Sequence, residues 1–135
     1  VEAHAAKARM ICLDTHVLLW WTLEPERLSP RALRAVDEAD GLAVSSIVFW
    51  EIALLARRQK VHLGTSIAVW TREVLSLTRI ESLPLLPETA VAAESLTMHA
   101  DPADRFIVAT AIHRGLSLVT KDAAIRRSGL VPTIW

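Results

Sequence analysis

The chain has 135 residues, 52% hydrophobic and 22% charged, and its 15 basic and 15 acidic residues balance to a formal charge of zero. That is the composition of a globular domain with enough chain to bury a core, not of a disordered segment. Cys12 is the only cysteine, so no intrachain disulfide forms, and no apolar run reaches the roughly 18 to 20 residues that cross a bilayer. A cytoplasmic protein without membrane attachment is the expectation.

Val1 to Arg9 lacks the apolar core of a signal peptide and reads as a flexible N-terminal extension of one domain that takes in the whole chain, residues 1–135. Met10 to Leu13 is a short buried strand, followed by a helix through Leu23 and the turn-rich Glu24-Pro25-Glu26-Arg27-Leu28. Ser29-Pro30 caps and opens a helix to about Ala39, ended by Gly41, and Leu42 to Val44 is the second strand. Ser45 or Ser46 caps a long apolar helix to about Gln59 with Glu51 in its first two turns, and Thr65 or Ser66 starts another to about Leu77. Ile80 to Leu83 is the third strand, and Pro87 to Leu96 a further helix. Asp101-Pro102 opens the next helix, ended by Gly115; Leu116 to Thr120 is a strand, Asp122 to Ser128 a short helix closed by Gly129, and Val131 to Trp135 the last strand.

Strands alternating with helices give an α/β fold with a central, mostly parallel sheet covered by helices on both faces. In such sheets, sites form at the carboxyl ends of the strands. Asp14 and Asp122 stand just beyond strands, while Glu51 and Asp104 lie in early turns of helices that start at that same edge. An unpaired carboxylate inside Ile47-Val48-Phe49-Trp50-Glu51-Ile52-Ala53-Leu54-Leu55 is costly to bury, and a divalent cation removes that cost. Separations of 37, 53 and 18 residues allow the four acids to converge.

Carboxylate oxygens without paired His or Cys ligands suit hard cations, Mg²⁺ or alternatively Mn²⁺. A site of that kind activates water for in-line attack on phosphorus, so phosphodiester hydrolysis is the reaction class, with one ion or two. With the four acids set aside, eleven acids face fifteen bases, which favours a polyanionic substrate. Each acid has a second account. Asp14 and Asp122 are good helix caps, Asp101 is a better cap than ligand, and Asp104 in the first turn favours the helix dipole. Glu51, in mid-helix, is the hardest to explain by capping.

Leu13-Asp14-Thr15-His16-Val17-Leu18-Leu19-Trp20 resembles the first acidic motif of the PIN-domain nucleases, and more narrowly of the VapC-type toxins of bacterial toxin–antitoxin modules. Ser45-Ser46 with Trp50-Glu51-Ile52-Ala53 is similar to the second motif. Asp101-Pro102-Ala103-Asp104-Arg105-Phe106-Ile107-Val108-Ala109-Thr110-Ala111 is similar to the third, with Asp104 at the metal position, and Leu118-Val119-Thr120-Lys121-Asp122 to the fourth. The resemblance spans Met10 to Trp135 and implies a three-layer PIN domain. It also implies an Mg²⁺- or Mn²⁺-dependent endoribonuclease with Asp14, Glu51, Asp104 and Asp122 as metal-binding and catalytic residues. Its substrate is a structured RNA, transfer or ribosomal, its inhibitor a cognate antitoxin, and its expected state a homodimer. The chain departs from related toxins at Leu55, where they often carry a Lys, and at Gln59-Lys60-Val61, where they often read Gly-Lys-Leu.

Thr15, Ser45 and Thr120 are candidates to hydrogen-bond the ligand carboxylates or a substrate phosphate, with helix capping as the competing role. Arg105, Lys121 and Lys60 are candidate phosphate contacts, and His16 and His99 are expected to play ordinary surface or loop roles. Trp20, Trp21, Trp50 and Trp70 sit in apolar helical runs and are expected in the core, except that Trp20 and Trp21, being consecutive, cannot both face it. One of the two is expected in a dimer or antitoxin groove. Two rival readings stand beside the nuclease: a catalytically inactive PIN-like module that binds RNA or protein, and a metal-dependent phosphomonoesterase. The second is disfavoured because His16 holds the place where phosphatases that begin with a strand-end Asp carry another Asp.

Overall fold

The computed structural model describes residues 9–98 and 101–135, so Val1 to Ala8 of the expected N-terminal extension and His99 lie outside the described residues. Arg9 belongs to the fold: its carbonyl accepts from the N–H groups of Asp40 and Gly41, and its own N–H donates to Asp40 Oδ2 at 2.7 Å. Five parallel strands, β1 (Met10–Leu13), β2 (Gly41–Ser45), β3 (Ile80–Leu83), β4 (Leu118–Val119) and β5 (Thr133–Ile134), lie in the order β3-β2-β1-β4-β5. Successive residues of a strand point to opposite faces. Ile11, Cys12 and Leu13 are all buried, as are Leu42 through Ser45, so the central strands are covered on both sides, as a three-layer α/β/α arrangement requires.

The helices are α1 (Thr15–Leu23), α2 (Pro30–Glu38), α3 (Ser46–Arg57), α4 (Ile67–Leu75), α5 (Pro87–Glu94), α6 (Pro102–Arg114) and α7 (Ala123–Ser128). Ser29 caps α2 and Ser66 caps α4 through their side-chain oxygens, as their sequence positions predict. The last two strands are shorter than the apolar runs that announce them. β5 is half-buried at the sheet edge and, among the described residues, pairs only with β4. Pro25 to Arg27 forms a 3-10 turn within the expected turn-rich segment.

The core joins both sheet faces through Leu18, Val36, Val48, Ile52, Ile107 and Ile125. In α3, Val48 and Ile52 form a buried i, i+4 pair, and Trp50, about 200° around the helix axis from each, faces outward at 55% exposure. The expectation of Trp50 in the core is therefore corrected by helical phase. Trp20 and Trp70 are buried, whereas Trp21 is half-buried and walls an apolar groove with Leu63, Trp70 and Leu77. Cys12 is a core residue; burial first and the charge of Asp14 second push its thiol up to about 12, where it is unreactive.

Candidate metal centre

The chain runs outward from β1 through β2 to β3, then returns to the far side of β1 to lay down β4 and β5. Connections therefore diverge at the carboxyl ends of β1 and β4, and a crevice is left between them. Asp14 emerges from β1 there, with its N–H donating to Val119 O at 3.1 Å, and Asp122 follows β4 three residues after Val119. A cavity of about 510 Å³ opens at this point, and Asp14, Glu51, Asp101, Asp104 and Asp122 all line it. The four acids singled out in the sequence are thus brought together, with a fifth beside them.

Capping and convergence turn out to be compatible, because a carboxylate has two oxygens. Asp14 Oδ1 accepts from the Thr15 N–H at 2.8 Å at the start of α1, and its Oδ2 accepts from the Thr120 hydroxyl at 2.6 Å. Thr120 in turn accepts from the Asp122 N–H at 3.0 Å, so one buried hydroxyl couples the ends of β1 and β4. Asp122 Oδ1 caps α7 through the Ile125 N–H at 2.9 Å. Asp101 Oδ1 caps α6 through the Ala103 N–H at 2.9 Å, and the second oxygens of Asp101 and Asp122 have no hydrogen-bond partner among the described residues. Glu51, from the second turn of α3, accepts from the Thr15 hydroxyl of α1. Glu51, Asp101 and Asp104 each offer an oxygen within 4.8 Å of the others.

The electrostatics of these acids are those of a crowded, partly buried carboxylate cluster. None of the five is in an ion pair among the described residues. Burial pushes the Asp14 carboxyl above the usual carboxylate range, with Asp122 adding to the rise and Thr120, the Thr15 N–H and His16 opposing it. Glu51 is also raised, by burial first and then by Asp14 and Asp101, against the hydrogen bond from Thr15. Asp104 is pushed up to about 7, by burial and then by the charges of Asp14, Asp101, Asp122 and Glu51. A desolvated, all-oxygen set of carboxylates without a basic partner fits a hard divalent cation, which favours their charged forms at once.

The remaining candidates divide. Thr15 and Thr120 support carboxylates directly, and Lys121 stands exposed on the cavity rim. Ser45 is buried and caps α3 through the Ile47 N–H at 3.4 Å. Arg105 does not reach the cavity: its guanidinium donates to the carbonyls of Ala93 at 3.1 Å, Leu96 at 2.9 Å and Met98 at 3.1 Å, tying the end of α5 to α6. His16, expected in an ordinary surface role, lines the cavity, as do Trp20 and Arg27. Asp101 is legible in the sequence only as a cap, although its spacing of three from Asp104 on a helix places both acids on one face. Arg27 carries no sequence signal beyond its charge.

The family model described as PIN domain matches residues 11–129. The chain belongs to the PIN-domain family. It is a VapC homologue within that family, a PIN nuclease, 41% identical over 128 residues to the ribonuclease VapC22 of Mycobacterium tuberculosis, covering 93% of this chain and 98% of that protein. Among solved structures, its fold is similar to that of Mycobacterium tuberculosis VapC20, described as a sarcin–ricin-loop-cleaving toxin, with TM-score 0.68 and 20% identity over 90% of this chain and 96% of that one. VapBC2 from Rickettsia felis, bound to a promoter DNA fragment, matches with TM-score 0.67 and 17% identity over 92% and 96%. A toxin–antitoxin complex from Klebsiella pneumoniae matches with TM-score 0.65 and 19% identity over 90% and 94%. PIN nucleases depend on metal ions, and the acidic cluster of this PIN domain occupies the crevice where the fold leaves room for one.

Proposed function

We propose that the chain is a single-domain, metal-dependent endoribonuclease toxin that hydrolyses phosphodiester bonds in a structured RNA, transfer or ribosomal, and acts in the cytoplasm. The observation that carries this reading is the convergence of Asp14, Glu51, Asp101, Asp104 and Asp122 in one cavity without a cationic partner among the described residues. Asp14, Glu51, Asp104 and Asp122 would hold Mg²⁺ or Mn²⁺, with Asp101 as a fifth acid at the rim. When bound, the ion activates the attacking water and offsets charge on the phosphate and the leaving oxygen.

The chain's own residues prepare that site. Thr120 fixes Asp14 Oδ2 and leaves Oδ1 shared with the Thr15 N–H, so the carboxylate is held in one orientation before any ligand arrives. The Thr15 hydroxyl does the same for Glu51. Asp104, raised to about 7, keeps a proton for part of the time at neutral pH and gives it up as the cation loads. Lys121, exposed on the rim, is placed to meet a substrate phosphate.

A cognate antitoxin belongs to the same reading, supported by a structural neighbour solved as a toxin–antitoxin complex; a homodimer belongs to it by the motif resemblance alone. The convergence of all four motif acids disfavours a binding module without activity, since such a module gains nothing from gathering carboxylates where burial raises them above their ordinary range. The test is incubation of purified, antitoxin-free protein with a cellular RNA pool in Mg²⁺, Mn²⁺ or chelator. Discrete fragments in metal, absent in chelator and with Asp104→Ala, are expected. A folded protein that leaves every RNA intact in both metals sinks the ribonuclease reading.

A further inference from the structure

Beside the acidic cavity lies a second one, also of about 510 Å³, which shares His16, Trp20 and Arg27 with it. The two form one trough, and a volume of this size falls in the roughly 300 to 1,000 Å³ of ordered ligand sites. Away from the acids, its walls change character. Arg27, Lys60 and His62 stand on its sides, Glu24 is the one carboxylate lining it among the described residues, and Leu19, Leu55 and Val61 are among its apolar lining. We propose that this second basin, resting on the ribonuclease reading above, receives the RNA strand adjoining the scissile phosphate. Its phosphates lie against Arg27 and Lys60, and a base lies on the apolar floor.

Both cations are held in place by specific devices. The Arg27 guanidinium lies 4.7 Å from the centre of the Trp20 ring, which also faces Lys121 Nζ at 5.6 Å and the Trp135 ring at 6.0 Å. Trp20 is buried, so it acts as a platform from below rather than as a stacking surface for RNA. It sets one cation on the trough wall and one on the acidic rim, and a stacked guanidinium keeps its N–H edge for phosphate oxygens. The pairing of Arg27 with Glu24, at 3.8 Å and with both side chains more than half exposed, is of the weak kind that a phosphate displaces.

Lys60 arrives by a different route. The Lys60 N–H donates to Leu55 O at 2.8 Å and the Gln59 N–H to Ala56 O at 3.1 Å, the paired bonds of a helix-ending turn whose middle residue is left-handed. Gln59 accordingly sits at φ 58°, the only described non-glycine residue with positive φ. That turn stops α3 abruptly and places Lys60 and Val61 in the basin, directly after the exposed Arg57 and Arg58. Five acids at one end of a trough repel a polyanion, so cations along its other end are what let a strand lie down with one phosphate at the acids.

The test measures anisotropy of a labelled single-stranded oligoribonucleotide of mixed sequence with Mn²⁺, on an Asp104→Asn background so that cleavage does not intervene. Arg27→Ala and Lys60→Ala are compared over a salt series with Arg34→Ala, an exposed α2 residue outside both cavities that removes the same charge. The expected result is several-fold weaker binding for the first two and a salt slope shallower by about 0.7 for each phosphate no longer neutralised, with Arg34→Ala unchanged. Melting curves confirm that each variant is folded. Unchanged affinity and slope in both variants overturns the trough even where the unmutated protein cleaves RNA. Loss of antitoxin affinity without loss of RNA affinity also overturns it and assigns the basin to the antitoxin. Absence of both RNA binding and cleavage removes the ribonuclease reading and the trough with it.

Discussion

Single residues show how an ordinary charged residue type is changed by the site it joins. Asp104 does not differ in sequence from an ordinary helix-start acid; what changes it is partial burial first and then four other carboxylates, which lift it to about 7. The consequence for stability has a definite sign. Between about 4 and about 7 the unfolded chain has lost this proton while the folded, metal-free protein retains it, so stability falls as pH rises through that window and levels off above it. In chelator, Asp104→Asn is therefore expected to melt higher than the unmutated protein, by a margin that widens from pH 4 to pH 7, as read by thermal denaturation at several pH values. A margin independent of pH would mean that Asp104 is not perturbed. Thr120 acts through Asp14 rather than on substrate. Thr120→Val keeps the buried shape but removes the hydroxyl shared by Asp14 and Asp122, and is expected to lower Mn²⁺ affinity by about 10- to 100-fold in a protein that still folds. Calorimetric titration checks it, with unchanged affinity as the contrary result.

At the scale of elements, three helix starts, those of α1, α6 and α7, face one crevice, each capped by an acid that also lines the cavity. This explains what is legible in the sequence and what is not. Asp14 and Asp122 are readable because a strand precedes each, and Glu51 because no cap sits inside an apolar helix. Asp101 reads only as a cap because local capping fully accounts for it, and its nearness to Glu51 depends on how α3 packs on α6. The same limit applies to Arg105, whose carbonyl partners Ala93, Leu96 and Met98 lie in the last turn of α5 and the segment just after it, which no periodicity announces. Trp50 departs from expectation for a simpler reason: an apolar run fixes that a helix is buried, but its phase fixes which side. The end of α3 carries a prediction of its own. Gln59 holds a left-handed conformation that costs a side chain about 1 to 2 kcal/mol, partly offset by the greater freedom glycine has in the unfolded chain. Gln59→Gly is expected to stabilise the fold by about 0.5 to 1 kcal/mol, read from denaturant titration. A destabilised variant would show that the packing of the Gln59 side chain outweighs the strain.

Across the whole molecule, a net charge of zero conceals a division of labour. Five acids collect at the carboxyl edge of β1 and β4, and Lys121, Arg27 and Lys60 stand around and beyond them. Burial of like charges opposes folding, and in the proposed metal centre a cation bound to the folded state alone would offset that cost. The relation to other PIN domains supports this at the level of fold and family, and the chemistry rests on the acids themselves. The most direct measurement is calorimetric titration of Mn²⁺ into the metal-free protein at pH 7, repeated in two buffers of different ionisation enthalpy so that proton release is counted. Saturable binding with release of a fraction of a proton, abolished in Asp14→Asn/Asp104→Asn, is the predicted result, since Asp104 is near half-protonated there. No saturable binding, or the same binding in the double variant, would contradict the metal centre on which the whole account depends.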